Sequence, residues 1–78
     1  MHILLFSKPG CPACMKTKDL IWAKNLPYSE SVLDRDITLD QIKERYPEAK
    51  SFPVIVVDGV RLAGYDAFKE LLEQEVGN

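Results

Sequence analysis

The sequence predicts an α/β fold in which a four-stranded mixed sheet is flanked by three helices, in the order β-α-β-α-β-β-α. Two continuous apolar runs, Ile3–Phe6 and Val54–Val57, are typical of central strands that are buried on both faces. Segments with helical spacing lie between and after these runs, and Asp58 with Gly59 indicates a two-residue hairpin turn. A chain of 78 residues has room for one core, so we expect a single domain over residues 1–78.

Composition and charge exclude several classes of function. With 46% apolar and 28% charged residues, the chain has the composition of a globular protein rather than a disordered one. Its net charge of −2 gives no basic excess for nucleic acid, and no apolar run approaches the ~20 residues of a membrane span. The apolar residues near the N-terminus lack a cleavage motif, so we expect no secretory signal and a cytoplasmic, monomeric protein.

The first strand is expected to lead through a short turn into a helix over residues 12–25. Cys11 takes the N-cap position, and Pro12 takes the first helical position, where the missing N–H of proline costs nothing. Pro27 blocks continuation of the helix, so the end is placed at Asn25. Trp22 within this helix is interpreted as a packing residue.

A polar edge strand over Tyr28–Leu33 and a second helix are expected next. Thr38 followed by Gln41 is a capping-box pattern, which indicates where this helix begins. Pro47 is expected to end it, since proline cannot continue a helix. The connection between the two parallel strands should be right-handed.

The last part of the chain predicts a hairpin followed by a helix. Alternation over Val60–Leu62 indicates the edge strand that returns from the turn. Asp66 is expected to be the N-cap of the final helix, and Gly77 its C-terminal capping glycine. The apolar stripe of this helix consists of Phe68, Leu71, Leu72 and Val76.

The number and spacing of the cysteines limit the roles that these residues can have. Cys11 and Cys14 are the only cysteines, and a disulfide between them would close almost no loop and so could not serve as a structural staple. Without a secretion signal, such a pair indicates metal binding or catalysis. A structural zinc site needs four ligands, whereas the chain adds only His2 at its extreme end, so we expect no metal site.

The predicted position of the pair favours redox chemistry. At a helix N-terminus, unpaired N–H groups and the helix dipole stabilise a thiolate, so the pKa of Cys11 should lie below the ordinary ~8.5. Lys8 adds positive charge, and residues 1–27 together carry four lysines against one aspartate. This excess either reflects ordinary solvated helix faces or makes the thiol segment electropositive. Cys11 is thus the candidate nucleophile and Cys14, one turn further in, the resolving thiol.

These residues carry a family resemblance. Residues 7–14, Ser-Lys-Pro-Gly-Cys-Pro-Ala-Cys, resemble the active-site segment of glutaredoxins. Residues 51–53 stand where that family has Thr-Val-Pro with a cis proline, and residues 62–66 resemble its Gly-Gly-x-Asp segment. The likeness covers essentially the whole chain in order, and the short length is similar to that of minimal bacterial and phage glutaredoxins.

The resemblance implies a thioredoxin fold and a glutathione-dependent dithiol oxidoreductase without a tightly bound cofactor. Glutathione would be the reductant, and disulfide-bearing proteins, with ribonucleotide reductase as a family-level example, would be the substrates. Lys8 would meet a glutathione carboxylate, and the backbone of Phe52 beside cis-Pro53 would pair with glutathione as an added strand. The γ-glutamyl end would be held by Gly64, Tyr65 and Asp66.

Three departures from the family pattern keep alternatives open. Ala13 replaces the tyrosine common between the cysteines, Ala63 replaces the first glycine of the pair, and Phe52 replaces valine. Small redoxins that serve ribonucleotide reductase also have a Gly-aromatic pair here, but thioredoxin reductase reduces them. A glutathione-ligated iron–sulfur carrier is a third class, against which the rigid Pro12 argues.

Overall fold

The computed structural model describes the backbone of residues 1–76 and the side chains of residues 1–74, and contains the predicted order of strands and helices in that range. The strands are β1 (Ile3–Ser7), β2 (Tyr28–Val32), β3 (Val54–Val57) and β4 (Val60–Leu62). The helices are α1 (Pro12–Ala23), α2 (Leu39–Arg45) and α3 (Tyr65–Val76).

The strands form one four-stranded sheet in the order β2-β1-β3-β4. Strand β1 pairs with β2 in parallel and with β3 in antiparallel orientation, and β3 pairs with β4 in antiparallel orientation. The two apolar runs are therefore central, and the two strands predicted as edges, β2 and β4, are edges, which confirms the predicted mixed sheet. In the hairpin turn, Asp58 and Gly59 both have positive φ (51° and 85°), the conformation that an Asp-Gly turn favours.

Helices cover both faces of this sheet. One core cluster joins the sheet to α1 and α3, and its buried members are Ile3, Leu5, Ile21, Ile55, Val57, Phe68 and Leu72. A second cluster joins the opposite face to α2, and its buried members are Phe6, Ile42, Ala49, Val54 and Val56. Successive strand residues point to opposite faces, so β1 and β3 each contribute to both clusters.

Helix α1 ends at Ala23, two residues before the predicted end. Asn25 adopts a left-handed conformation (φ 53°), and its N–H donates to the Trp22 carbonyl oxygen at 3.0 Å. The Leu26 N–H donates to the Ile21 carbonyl oxygen at 3.1 Å, which completes a Schellman motif. This turn, and not the following proline, terminates the helix.

The sequence pattern predicted the start of α2 correctly but not the start of α3. The capping box of α2 is confirmed, since the Gln41 N–H donates to the Thr38 hydroxyl and the Thr38 N–H donates to the Gln41 side chain. The predicted N-cap role of Asp66 is wrong, because α3 begins at Tyr65 and the Gly64 carbonyl accepts the first helical bond, from Phe68. Gly77 lies outside the described residues.

Two further details depart from the sequence-based expectation. Strand β2 ends at Val32, not Leu33, because the Val32 carbonyl oxygen accepts from the Arg35 and Asp36 N–H groups and the chain turns there. The Asp36 carboxylate closes this turn by accepting from the Val32 N–H at 2.8 Å. Trp22 is 53% exposed and its indole N–H donates to the Tyr28 hydroxyl at 3.0 Å, so its assignment as a packing residue is wrong.

Among residues 1–76, no helix is long and apolar enough to span a membrane.

Candidate active site around Cys11 and Cys14

Cys11 caps the helix that follows the first central strand. Between β1 and α1 the chain turns at Gly10, whose φ of +69° favours glycine. Cys11 has extended backbone angles, and its Sγ accepts a hydrogen bond from the Cys14 N–H at 3.1 Å. Pro12 is the first helical residue. The predicted N-cap geometry of Cys11 is therefore present.

The two sulfurs are joined in a disulfide within a single helical turn, with a Cα–Cα distance of 5.2 Å. Cys11 is 7% exposed and Cys14 is 2% exposed, so the N-cap sulfur is the more accessible of the two. The first turn of α1 contains no acidic residue that would oppose a thiolate. This electrostatic setting favours the thiolate form of Cys11 when the pair is reduced.

Lys8 lies beside the disulfide. It lines a cavity of about 430 Å³ together with both cysteines, and its ammonium nitrogen lies 5.7 Å from the centroid of the Phe52 ring. The side chain is exposed and forms no ion pair with any described residue. Its positive charge is therefore available to a thiolate at Cys11 or to an anionic ligand.

A polar network that the sequence did not predict lies in the same cavity. The Ser7 hydroxyl donates to a Glu30 carboxylate oxygen at 2.6 Å, and the Lys18 ammonium lies 3.3 Å from that oxygen. Ser7 is buried, and the side chains of Lys18 and Glu30 are 19% and 20% exposed. The network therefore fixes a carboxylate and an ammonium group in the cavity that both cysteines line.

The segment that precedes β3 lies next to Lys8 in space. Phe52 is half-buried beneath the Lys8 ammonium, and Pro53 is buried. The Phe52–Pro53 peptide bond is cis, which confirms that expectation. The structure therefore brings Phe52 next to Lys8, whereas neither Phe52 nor Pro53 lines the cavity that both cysteines line.

The remaining predicted ligand residues lie at the start of α3. Tyr65 is half-buried, and the Lys16 ammonium lies 4.8 Å from its ring centroid, a contact the sequence did not predict. Asp66 is exposed in the first turn of α3, and Gly64 has φ +137°. None of residues 64–66 lines the cavity that holds both cysteines. Among the described side-chain interactions, the Lys16–Tyr65 contact is the one that connects residues 64–66 to α1.

Sequence comparisons identify the relatives of this chain. The family model named Glutaredoxin matches residues 3–62. Glutaredoxin 1 of Rickettsia bellii is 30% identical over 73 residues, which cover 88% of this chain and 74% of that protein. The hybrid peroxiredoxin hyPrx5 of Haemophilus influenzae is 33% identical over 64 residues; these are 82% of this chain but 26% of that protein.

Structural comparisons agree with this assignment. Reduced glutaredoxin of Escherichia coli superposes with a TM-score of 0.80 at 22% identity, over 100% of both chains. NrdH-redoxin of Escherichia coli superposes with a TM-score of 0.68 at 19% identity, over 83% of this chain and 84% of that one. These matches confirm the thioredoxin fold. Together with the family match over most of the sequence, they show that the chain belongs to the glutaredoxin family, as a redox protein whose Cys-x-x-Cys pair is Cys11 and Cys14.

Proposed function

We propose that the protein is a glutathione-dependent thiol–disulfide oxidoreductase that reduces protein disulfides and mixed disulfides with glutathione in the cytoplasm. The observation that carries the proposal is the Cys11 sulfur at the N-cap of α1, where it accepts the Cys14 N–H and is bonded to the Cys14 sulfur. A thiolate at this position is stabilised by the helix N-terminus and stands within reach of a second thiol. These are the two requirements of a dithiol exchange cycle.

The reductive half of the cycle uses both thiols. The Cys11 thiolate attacks one sulfur of the substrate disulfide, forms a mixed disulfide and releases the other substrate sulfur as a thiolate, which takes up a proton. Cys14 then loses its proton and attacks the Cys11 sulfur, which releases the second substrate thiol. The substrate gains two electrons and two protons, and the protein is left with the Cys11–Cys14 disulfide.

Two glutathione molecules complete the cycle. One glutathione thiolate attacks the Cys11 sulfur, so that Cys14 returns to a thiol and a mixed disulfide remains on Cys11. A second glutathione thiolate attacks this mixed disulfide and leaves as glutathione disulfide, while Cys11 returns to a thiolate. On one side of Cys11, glutathione would be bound by Lys8, Phe52 and Pro53. On the other side, it would be bound by the start of α3, which includes Tyr65.

A second candidate is a small redoxin that thioredoxin reductase reduces and that donates electrons to ribonucleotide reductase. It is supported by the Gly64-Tyr65 pair and by Ala13, which leaves no aromatic ring between the cysteines. The fold is compatible with both candidates, since both glutaredoxin and NrdH-redoxin superpose on this chain. The electron donor is therefore the property that an experiment must determine.

A reductase-coupled assay separates the two candidates. With glutathione, glutathione reductase and NADPH, we expect the protein to turn over a small glutathione mixed disulfide, followed by the loss of NADPH absorbance. With thioredoxin reductase and NADPH in place of the glutathione system, we expect little turnover. Turnover with thioredoxin reductase, and little turnover with the glutathione system, would show that thioredoxin reductase and not glutathione is the electron donor.

Reversal of the charge at Lys8 is expected to weaken both thiolate formation and glutathione use. In Lys8→Glu, a carboxylate replaces the ammonium beside the cysteine cavity, so the pKa of Cys11 should rise and the KM for glutathione should increase about three- to tenfold. Because Lys8 is exposed, added salt should reduce the difference from wild type. Thiol alkylation against pH and steady-state kinetics measure the two effects.

Lys24→Glu is the matched control for this charge reversal. It makes the same change in net charge at the far end of α1, beyond the last helical residue Ala23. We expect the Cys11 titration and the glutathione KM of this control to match wild type. If Lys8→Glu and Lys24→Glu gave the same Cys11 titration and the same glutathione KM, Lys8 would contribute only to the overall charge of the protein.

A further inference from the structure

A second concave surface lies on the other side of Lys8, between α2 and the segment that leads into β3. It is a groove of about 320 Å³, which we call the lysine groove. Its apolar floor includes Leu39, Ile42 and Phe52, and three cationic side chains, Lys8, Lys43 and Lys50, line it as well. Lys8 lines both the groove and the cavity with the cysteines, so the two surfaces adjoin at this side chain.

The charge of the groove is of one sign. Among the side chains of residues 1–74, no acidic one lines it, and Glu44 of the same helix lines a different concavity together with Arg45. Among the described side chains, none of the groove lysines forms an ion pair. The chain as a whole carries a net charge of −2, so this uncompensated positive surface is a local feature. Such a surface attracts anionic partners and raises their rate of encounter.

The floor of the groove adds an apolar contact to this charge. Leu39 is 44% exposed although it is large and apolar, and Phe52 presents its half-buried ring beneath the Lys8 ammonium. An apolar floor with a cationic rim suits a polypeptide segment that carries carboxylates together with an apolar side chain. A small inorganic anion would use the lysines but would leave the floor uncovered.

We propose that the lysine groove docks an acidic segment of a protein substrate, next to the substrate disulfide that Cys11 attacks. The proposal rests on the proposed function and names its substrate class: disulfides flanked by acidic residues are preferred over the same disulfides with neutral or basic flanks. The shared side chain of Lys8 carries the argument, because an acidic segment that contacts Lys8 from the groove lies against a residue that also lines the cavity with both cysteines.

The test uses single-turnover oxidation of the pre-reduced protein, so that glutathione is not needed. Three disulfide peptides are compared that differ only in flanking residues, which are glutamate, glutamine or lysine. The wild type should react fastest with the acidic peptide, and 0.5 M salt should remove most of this preference. The double variant Lys43→Glu/Lys50→Glu should react about tenfold more slowly with the acidic peptide and about equally with the neutral one.

Arg45→Glu and Lys69→Glu, combined in one protein, provide the matched control. Arg45 lies in the last turn of α2, as Lys43 does, but it lines the other concavity, and Lys69 is exposed on α3. This control should keep the wild-type preference for the acidic peptide. Thermal unfolding checks that both double variants are folded.

Three outcomes overturn the proposal. The first is an unchanged preference for the acidic peptide in Lys43→Glu/Lys50→Glu, and the second is an equal loss with all three peptides. The third is a loss of glutathione use with the acidic preference retained, which would make the groove a glutathione subsite. A wild-type protein that reduces none of the peptides refutes the oxidoreductase function itself, and the docking proposal is refuted with it.

Discussion

Serine in place of Cys11 is expected to reduce every disulfide-exchange activity of the protein to the uncatalysed background. The serine hydroxyl is not ionised at neutral pH and cannot form a mixed disulfide, so the helix N-terminus has no thiolate to stabilise. The glutathione-coupled assay and single-turnover oxidation both measure the loss. Activity within an order of magnitude of wild type would contradict the assignment of Cys11 as the nucleophile.

Serine in place of Cys14 is the informative partner of this variant. The Cys14 N–H that donates to the Cys11 sulfur belongs to the backbone, so the substitution preserves it. We expect Cys14→Ser to keep the removal of glutathione from mixed disulfides, which needs one thiol, and to lose reduction of protein disulfides that need two. Mass spectrometry should then find the substrate trapped on Cys11. Identical losses in both variants would show that the two thiols do not have distinct roles.

Truncation of Phe68 is expected to cause the largest loss of stability among single core substitutions. Phe68 is 0% exposed and belongs to the core cluster that joins the sheet to α1 and α3. Removal of a fully buried phenylalanine side chain costs about 3–5 kcal/mol in the free energy of unfolding. The whole stability of small domains is about 5–15 kcal/mol, so Phe68→Ala should leave the protein close to unfolding. Urea denaturation measures the change.

Lys69→Ala is the control for this prediction. Lys69 follows Phe68 directly on α3 but is exposed, so its truncation should change the free energy of unfolding by less than about 0.5 kcal/mol. A loss below about 1 kcal/mol in Phe68→Ala would mean that α3 is not packed on the sheet in solution.

Local patterns predicted most of the fold and the position of Cys11 at the start of α1. The apolar runs identified β1 and β3, the Thr38–Gln41 box identified the start of α2, and Cys11 with Pro12 identified the start of α1. Each of these signals depends on residues within a few positions of one another. The predictions failed where the backbone conformation of one residue decided the outcome, as at Asn25 with its left-handed turn.

Interactions between distant segments could not be predicted in the same way. The Ser7–Glu30–Lys18 network requires the parallel register of β1 and β2, which pairs Leu5 with Glu30, and the placement of α1 above both strands. The period-2 spacing of Leu5 and Ser7 was an available signal, since it puts Ser7 on the α1 face. The Lys16–Tyr65 contact depends on the packing of α1 beside α3, for which the sequence carries no local signal.

The disulfide within one turn of α1 has a consequence for how the fold responds to oxidation and reduction of Cys11 and Cys14. Both sulfurs belong to one helix start, and neither cysteine is a member of the two core clusters. Gain or loss of the bond therefore need not change how the helices pack on the sheet. The oxidised and reduced forms of the protein can therefore share one fold. The substitutions that would alter the redox properties of the cysteine pair are then different from those that would alter the stability of the core.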